Sequence, residues 1–279
     1  MGVSTVHQAK VTRYKDGNSS DSPDLLAVEE PLEIRLQYGP EEDRNEQTLS
    51  ITMRTPGNDE ELTAGFLWTE GLISSPTDII SVRHCQQEKE PGNVIKASIA
   101  PGVEIDISKL NRHFYTSSSC GVCGKTSMEA VTQSSTFVLP KGKPKFSKDI
   151  LYSLPKTLSQ QQLIFEHTGG LHASGLFNHN GRLVQLKEDV GRHNALDKLI
   201  GSAYMNGNLP LSEHVVLVSG RASFELVQKA YMAGIPFLAA VGAPSSLAVD
   251  LAQKSGMTLV GFLRDKKFNV YTGTNRVLH

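Results

Sequence analysis

Val215-Val216-Leu217-Val218, Ile235-Pro236-Phe237-Leu238-Ala239-Ala240-Val241 and Met257-Thr258-Leu259-Val260-Gly261-Phe262 are three strand-length runs that stay apolar throughout. Strands of that kind are covered on both faces. A helix is expected between the first two, from Ser223 to Met232, and another before the third, opened by Pro244 in its first turn and closed by Gly256. Buried strands alternating with helices predict a parallel, doubly wound α/β sheet. Such sheets take ligands at the carboxyl ends of their strands. Those ends are Ser219-Gly220-Arg221-Ala222-Ser223, Gly242-Ala243-Pro244-Ser245-Ser246 and Phe262-Leu263-Arg264-Asp265-Lys266-Lys267. Glycine- and serine-rich helix starts offer free amides to phosphate, and Arg221, Arg264, Lys266 and Lys267 add positive charge. None of the three is a P-loop or a G-x-G-x-x-G turn, and Lys266-Lys267 also reads as a solvated turn. A nucleotide-like ligand is the joint implication of several weak signals.

Upstream, His172 to Phe177 and Leu183 to Leu186 flank Asn178-His179-Asn180-Gly181, a hairpin pattern. Leu196, Leu199, Ile200, Ala203 and Tyr204 recur at helical spacing. Between hairpin and helix, Glu188-Asp189-Val190-Gly191-Arg192-His193-Asn194 gathers acid, base and imidazole. His193 and Asp197 lie one helical turn apart, so the carboxylate is expected to orient the ring, either for general-base work or within a capped helix start. Lys141 to Lys156, rich in lysine and proline, reads as a solvated connector. Closer to the N-terminus, Leu32 to Leu36, Thr48 to Met53, Val94 to Ile99 and Val103 to Ile107 read as strands, with one helix from Asn58 to Glu70 ended by Gly71. Residues 1–26 are polar and expected to be disordered.

Cys120-Gly121-Val122-Cys123 sits among Ser117, Ser118, Ser119, Gly124 and Lys125, and Cys85 is the only other cysteine. The thiolate is the reactive form, favoured by positive potential. Lys125 and a helix opening at Thr126 supply that potential. A closed zinc site needs four ligands, which one Cys-x-x-Cys would have to recruit from scattered histidines. A disulfide across so short a loop gains little, and an odd cysteine count suits a reducing compartment. Dithiol redox work and carriage of sulfur as a persulfide are both open to this pair.

The chain has 279 residues, with Lys plus Arg 28 and Asp plus Glu 29, a balance that gives no hint of nucleic-acid binding. Its apolar runs fall far short of the roughly 20 residues that span a bilayer. Met1 to Asp24 has no signal-peptide core. A soluble, cytoplasmic protein is expected.

Four segments together are familiar. Cys120 to Gly124, Thr168-Gly169-Gly170-Leu171-His172-Ala173, Glu188 to Lys198 and Ser219-Gly220-Arg221-Ala222-Ser223-Phe224-Glu225 resemble the formate dehydrogenase accessory sulfurtransferase family, FdhD, from about residue 27 to residue 272. The resemblance implies a homodimeric sulfur carrier with an α/β domain of cytidine-deaminase-like fold at 127–279. A smaller β-rich α+β module at 27–115 and a mobile cysteine loop at 116–126 precede it. In this family a cysteine desulfurase loads a persulfide, which falls here on Cys120 with Cys123 as second cysteine. The sulfur passes to a molybdenum cofactor with two guanine dinucleotides, bound as substrate, for formate dehydrogenase. No resident metal, nucleic acid or membrane partner is implied. The family's cofactor loop falls on Phe262, Leu263, Arg264, Asp265, Lys266 and Lys267, joined here by Ser219, Gly220 and Arg221. A form of that loop with Cys-Lys-Pro-Gly-Arg after the Phe is replaced by Leu263 to Lys267. The rival readings are a zinc-stabilised interaction module or a zinc deaminase, which needs His-x-Glu where this chain has His172-Ala173-Ser174.

Overall fold

The computed structural model describes residues 4–86, 88, 91–105, 135 and 137–278. The segment 116–126, with Cys120 and Cys123, lies outside the described residues. Fourteen strands and six helices are described.

The expected parallel core is present. Strands β10 (Val215–Val218), β11 (Phe237–Ala240) and β12 (Thr258–Arg264) run parallel, Val215 beside Phe237 and Phe237 beside Thr258. They form the centre of a mixed six-stranded sheet rather than a purely parallel one. The hairpin β8 (His172–Phe177) and β9 (Leu183–Asp189) adds antiparallel to β10, and β13 (Lys267–Thr272) adds antiparallel to β12. Helices cover both faces. Leu151, Leu154 and Leu158 of α2 (Lys148–Gln161) pack with Phe146, Val215, Leu217, Phe237 and Val260 on one side. On the other lie α4 (Arg192–Met205), α5 (Phe224–Met232) and α6 (Ser246–Lys254).

Two segments depart from expectation here. Lys141 to Lys156 is not a connector: it holds β7 (Phe146–Ser147) and most of α2, whose start is capped by Ser147 Oγ accepting from Ile150 N at 3.3 Å. The leucines at helical spacing outweigh the lysines and Pro155, because their burial closes one face of the sheet. Pro244 does not open α6. It stands in a bridge with Ala222, and Ser245 caps the helix by accepting from Ala248 N at 3.3 Å.

The N-terminal part is a four-stranded sheet in the order β4-β3-β6-β5, made of β3 (Glu30–Tyr38), β4 (Asn45–Arg54), β5 (Ile79–His84) and β6 (Val94–Ile99). Residues 103–105 carry no strand; Val103 and Ile105 pack against the core. Helix α1 (Asp59–Thr69) lies on this sheet, and Gly71 follows it with φ 67°. The two parts share one core, which runs from Leu32, Ile34 and Leu36 through Leu62 and Trp68 to Leu199, Val216 and Leu259. Helix α1 meets α4 glycine to glycine. A Cβ on Gly65 would run into the Asp197 carbonyl, and one on Gly201 into the Glu61 carbonyl. Trp68 completes the joint, its indole N–H donating to the Met232 carbonyl at 2.8 Å with Tyr204 and Phe137 against its ring.

Residues 1–26 were expected to be disordered, yet β1 (Val6–Lys15) and β2 (Asn18–Ala27) form a hairpin in unbroken register from Val6 beside Ala27 to Lys15 beside Asn18. Its turn is Asp16-Gly17, both with positive φ (51° and 79°), the twist that two-residue hairpin turns require. No described helix is long and apolar enough to cross a membrane.

Candidate functional site

The three strand ends meet at one edge and are laced together by main-chain bonds. Gly242 N donates to Gly220 O at 2.9 Å, Ala222 N to Ala243 O at 3.1 Å, Ser245 N to Ala222 O at 3.0 Å and Phe262 N to Gly242 O at 3.0 Å. Such spacing leaves no room for a side chain at Gly242, where a Cβ would lie 3.0 Å from Gly220 O and 3.1 Å from Arg221 Cα. Ser219 is committed to β8: its hydroxyl accepts from Ala173 N at 2.9 Å and its own N–H returns to Ala173 O at 2.9 Å. Gly220 is left half-exposed and Arg221 exposed at the rim.

The third end is a hairpin tip rather than a loop. A bulge between Gly261 and Arg264 turns Phe262 to φ 55°, and Asp265 and Lys266 (φ 51° and 55°) make a two-residue turn into β13. Leu263 is buried in the core on the α2 side and cannot face a ligand at the edge. Arg264, Asp265, Lys266 and Lys267 stand exposed at the tip.

Much of the Glu188 to Asn194 motif is structural. Asp189 is fully buried and pairs with Lys198 at 2.7 Å, while accepting from Gly191 N at 2.8 Å, Asn194 Nδ2 at 3.1 Å and Thr55 N at 3.2 Å. Lys198 also donates to Thr55 O at 2.8 Å, and Asn194 Nδ2 to Met53 O at 2.8 Å. These groups fasten the start of α4 to the end of β4. Glu188 accepts from Phe165 N at 3.1 Å at the start of α3 (Leu163–Thr168), and burial pushes its carboxyl above the usual range.

The expected His193–Asp197 pair does not form. Asp197 turns inward to Lys229 at 2.9 Å and to the Thr69 hydroxyl at 2.9 Å. His193 instead reaches α5, with Nε2 3.1 Å from Ser223 Oγ and 3.9 Å from Glu225 Oε2. Burial, then the nearby charges of Lys229 and Arg192, push its pKa down to about 4. The ring is therefore neutral near pH 7. Ser223 Oγ accepts from Leu226 N at 3.4 Å as the cap of α5, and the same side chain bonds the Glu225 carboxylate.

Two further groups stand at this edge, His172 and Arg192, both within segments that carry the family resemblance but neither singled out there as a ligand contact. The His172 ring lies against Gly220, where a Cβ would sit 3.3 Å from its Nδ1 and 4.0 Å from Arg192 Cδ. Burial, then the charge of Arg192, hold its pKa below the ordinary histidine value. The signal was present in their neighbours, a histidine opening one strand and an arginine opening a helix at the same sheet edge. Among the described residues, no group of three or more His, Cys, Asp or Glu side chains is placed to hold a metal ion.

Residues 27–278 match the model of the FdhD/NarQ family. The chain is 52% identical over 273 residues to a protein of Streptomyces coelicolor named sulfur carrier protein FdhD, covering 96% of this chain and 94% of that one. It is 48% identical over 285 residues to a Mycobacterium tuberculosis protein of the same name, covering 99% and 100%. A crystal structure described as a formate dehydrogenase accessory protein from Desulfotalea psychrophila is similar over 99% of this chain and 100% of that one, with 26% identity and a TM-score of 0.74.

Proposed function

Because the chain belongs to the FdhD/NarQ family, we propose that it is a sulfurtransferase, a sulfur carrier that serves the maturation of formate dehydrogenase. Cys120 takes sulfur from a cysteine desulfurase, and the protein hands it to a molybdenum cofactor bearing two guanine dinucleotides, held as substrate. The observation that carries the second half is the strand edge, where Gly220, Gly242 and capped helix starts converge beneath Arg192 and Arg221. Polyphosphate ligands suit such an edge because free amides and guanidinium groups offer hydrogen bonds and charge together.

The sulfur step balances without an outside oxidant. The Cys120 thiolate attacks the outer sulfur of the donor's persulfide, the donor's S–S bond breaks, and its cysteine leaves as thiolate. For delivery, the Cys123 thiolate attacks the inner sulfur of the Cys120 persulfide. Hydrosulfide leaves toward the cofactor, and the resulting Cys120–Cys123 disulfide is later reduced by a thiol. The protein works in the cytoplasm as a homodimer in this account. On β8 the zinc-deaminase alternative is disfavoured by Ser174, which occupies the place of the required glutamate.

Intact-mass measurement after incubation with a cysteine desulfurase and cysteine tests the proposal. The protein should gain the mass of one sulfur atom, Cys120→Ala should lose that gain together with formate dehydrogenase maturation, and Cys85→Ala should lose neither. A Cys120→Ala protein that still matures the dehydrogenase at the normal rate would sink the assignment, and bound zinc would favour the structural alternative.

A further inference from the structure

We propose that Arg192, His172 and the first turn of α4 form an oxyanion subsite, on the β8 side of the strand edge, that takes a phosphate or pyrophosphate group. It rests on the nucleotide reading above and assigns the phosphate contact within it.

Four observations converge there. Arg192 Nε is buried and has no hydrogen-bond partner, and among the described residues its guanidinium makes no ion pair. An unpartnered buried donor on a charged group is costly and calls for an acceptor. The start of α4 has no side-chain cap at Gly191 and no acid in its first turn, whereas α5 and α6 are capped by Ser223 and Ser245. Its first amides and the positive end of a 14-residue helix dipole therefore point at the same place. Ser174 follows His172 on the same face of β8, toward α4, and is fully buried with its hydroxyl unpartnered. Beside them a Cβ on Gly220 would sit 3.3 Å from the His172 ring and 4.0 Å from the Arg192 stem, so glycine there lets these two side chains close together on the strand end.

The neighbouring acids do not fill this role. Asp189 is neutralised by Lys198 at 2.7 Å. Glu225 bonds the Ser223 side chain and meets Arg192 through charge alone, without an ion pair. A guanidinium fork with helix amides suits a tetrahedral, doubly charged oxyanion, to which each can donate. The hairpin tip with Arg264, Lys266 and Lys267 is exposed, so its charges meet a ligand through solvent and contribute less.

Isothermal titration calorimetry on the full chain decides this, with guanosine diphosphate and inorganic pyrophosphate as separate probes. Wild type should bind both. Arg192→Gln should weaken each by about ten- to hundredfold, the range expected for losing a hydrogen bond to a charged group. Arg192→Lys, which keeps the charge but not the fork, should recover only part of that loss and guards against a folding artefact in the first variant. Wild type that binds pyrophosphate but not guanosine diphosphate, with the same loss in Arg192→Gln, upholds the subsite for a free oxyanion and removes the nucleotide reading. Guanosine diphosphate binding that Arg192→Gln leaves within twofold of wild type overturns the subsite and leaves the nucleotide reading standing. Binding of neither probe by wild type overturns both.

Discussion

Replacing Gly65 with alanine reverses the usual expectation for a helix and so tests how α1 and α4 meet. In an exposed helix the change would stabilise by about 1 kcal/mol through backbone entropy. Here the new Cβ would lie 2.7 Å from the Asp197 carbonyl carbon and 2.9 Å from Gly201 N, both main-chain atoms that no rotamer change can move. The helices must separate, which loosens the Gly201 contact and pulls on Asp197, held by Lys229 and Thr69. Overpacking costs typically 1–3 kcal/mol, and the rigid partners place this case at the upper end, leaving a net loss of about 2 kcal/mol. For a chain of this size that is a fall of roughly 3–4 °C in melting temperature. Gly92→Ala, with nothing within 4 Å of its added Cβ, serves as the neutral comparison. Adding Gly201→Ala to Gly65→Ala should cost less than it does alone, because the helices have already parted. Circular-dichroism melts of the wild type and the four variants are sufficient. A Gly65→Ala protein that melts at or above the wild-type temperature refutes the close approach.

Replacing Arg264, Lys266 and Lys267 together by alanine should weaken guanine-nucleotide binding and flatten its salt dependence, as loss of screened surface charge does; unchanged calorimetric affinity would remove the hairpin tip from the ligand site. The His193 ring has its pKa lowered to about 4, so between the unfolded value of 6.5 and that figure the unfolded chain binds the proton first. Its contribution to stability is thus present above pH 6.5 and lost as pH falls toward 4, in part only, because its side chain is 35% exposed. Urea melts at pH 7 and pH 5 should show the gap between wild type and His193→Gln closing at the lower pH, and parallel curves would contradict the buried neutral ring.

The parallel strands were legible because Val215 to Val218 and its two partners are apolar without interruption, a pattern that only coverage on both faces explains. The β8–β9 hairpin and α4 were legible for similar reasons of period. What escaped was structure whose residues bury little. The β1 and β2 strands are polar on both faces, so the one usable sign was the Asp16-Gly17 turn. In α2 the periodic Leu151, Leu154 and Leu158 were hidden by Pro155 and flanking lysines. The site divides in the same way. Chain order alone placed Ser219, Gly220 and Arg221 at the sheet edge. The bulge at Phe262, which sends Leu263 inward, is a matter of register that composition does not reveal. The partner of His193 was missed because helical spacing admits Asp197, while the pull of Lys229 from another helix decides against it.

Trp68 is the only tryptophan in the chain, and it sits where α1 meets α5. Its intrinsic fluorescence is accordingly a native reporter of that seam. Emission should be blue-shifted in the folded state, because the indole is 3% exposed, and should move to the red once water reaches it. Energy absorbed by Tyr204, whose ring centroid is 5.4 Å away, should transfer to the indole while the halves remain together. A stopped-flow trace excited at the tyrosine band would therefore time the parting of the N-terminal sheet from the six-stranded one without any label.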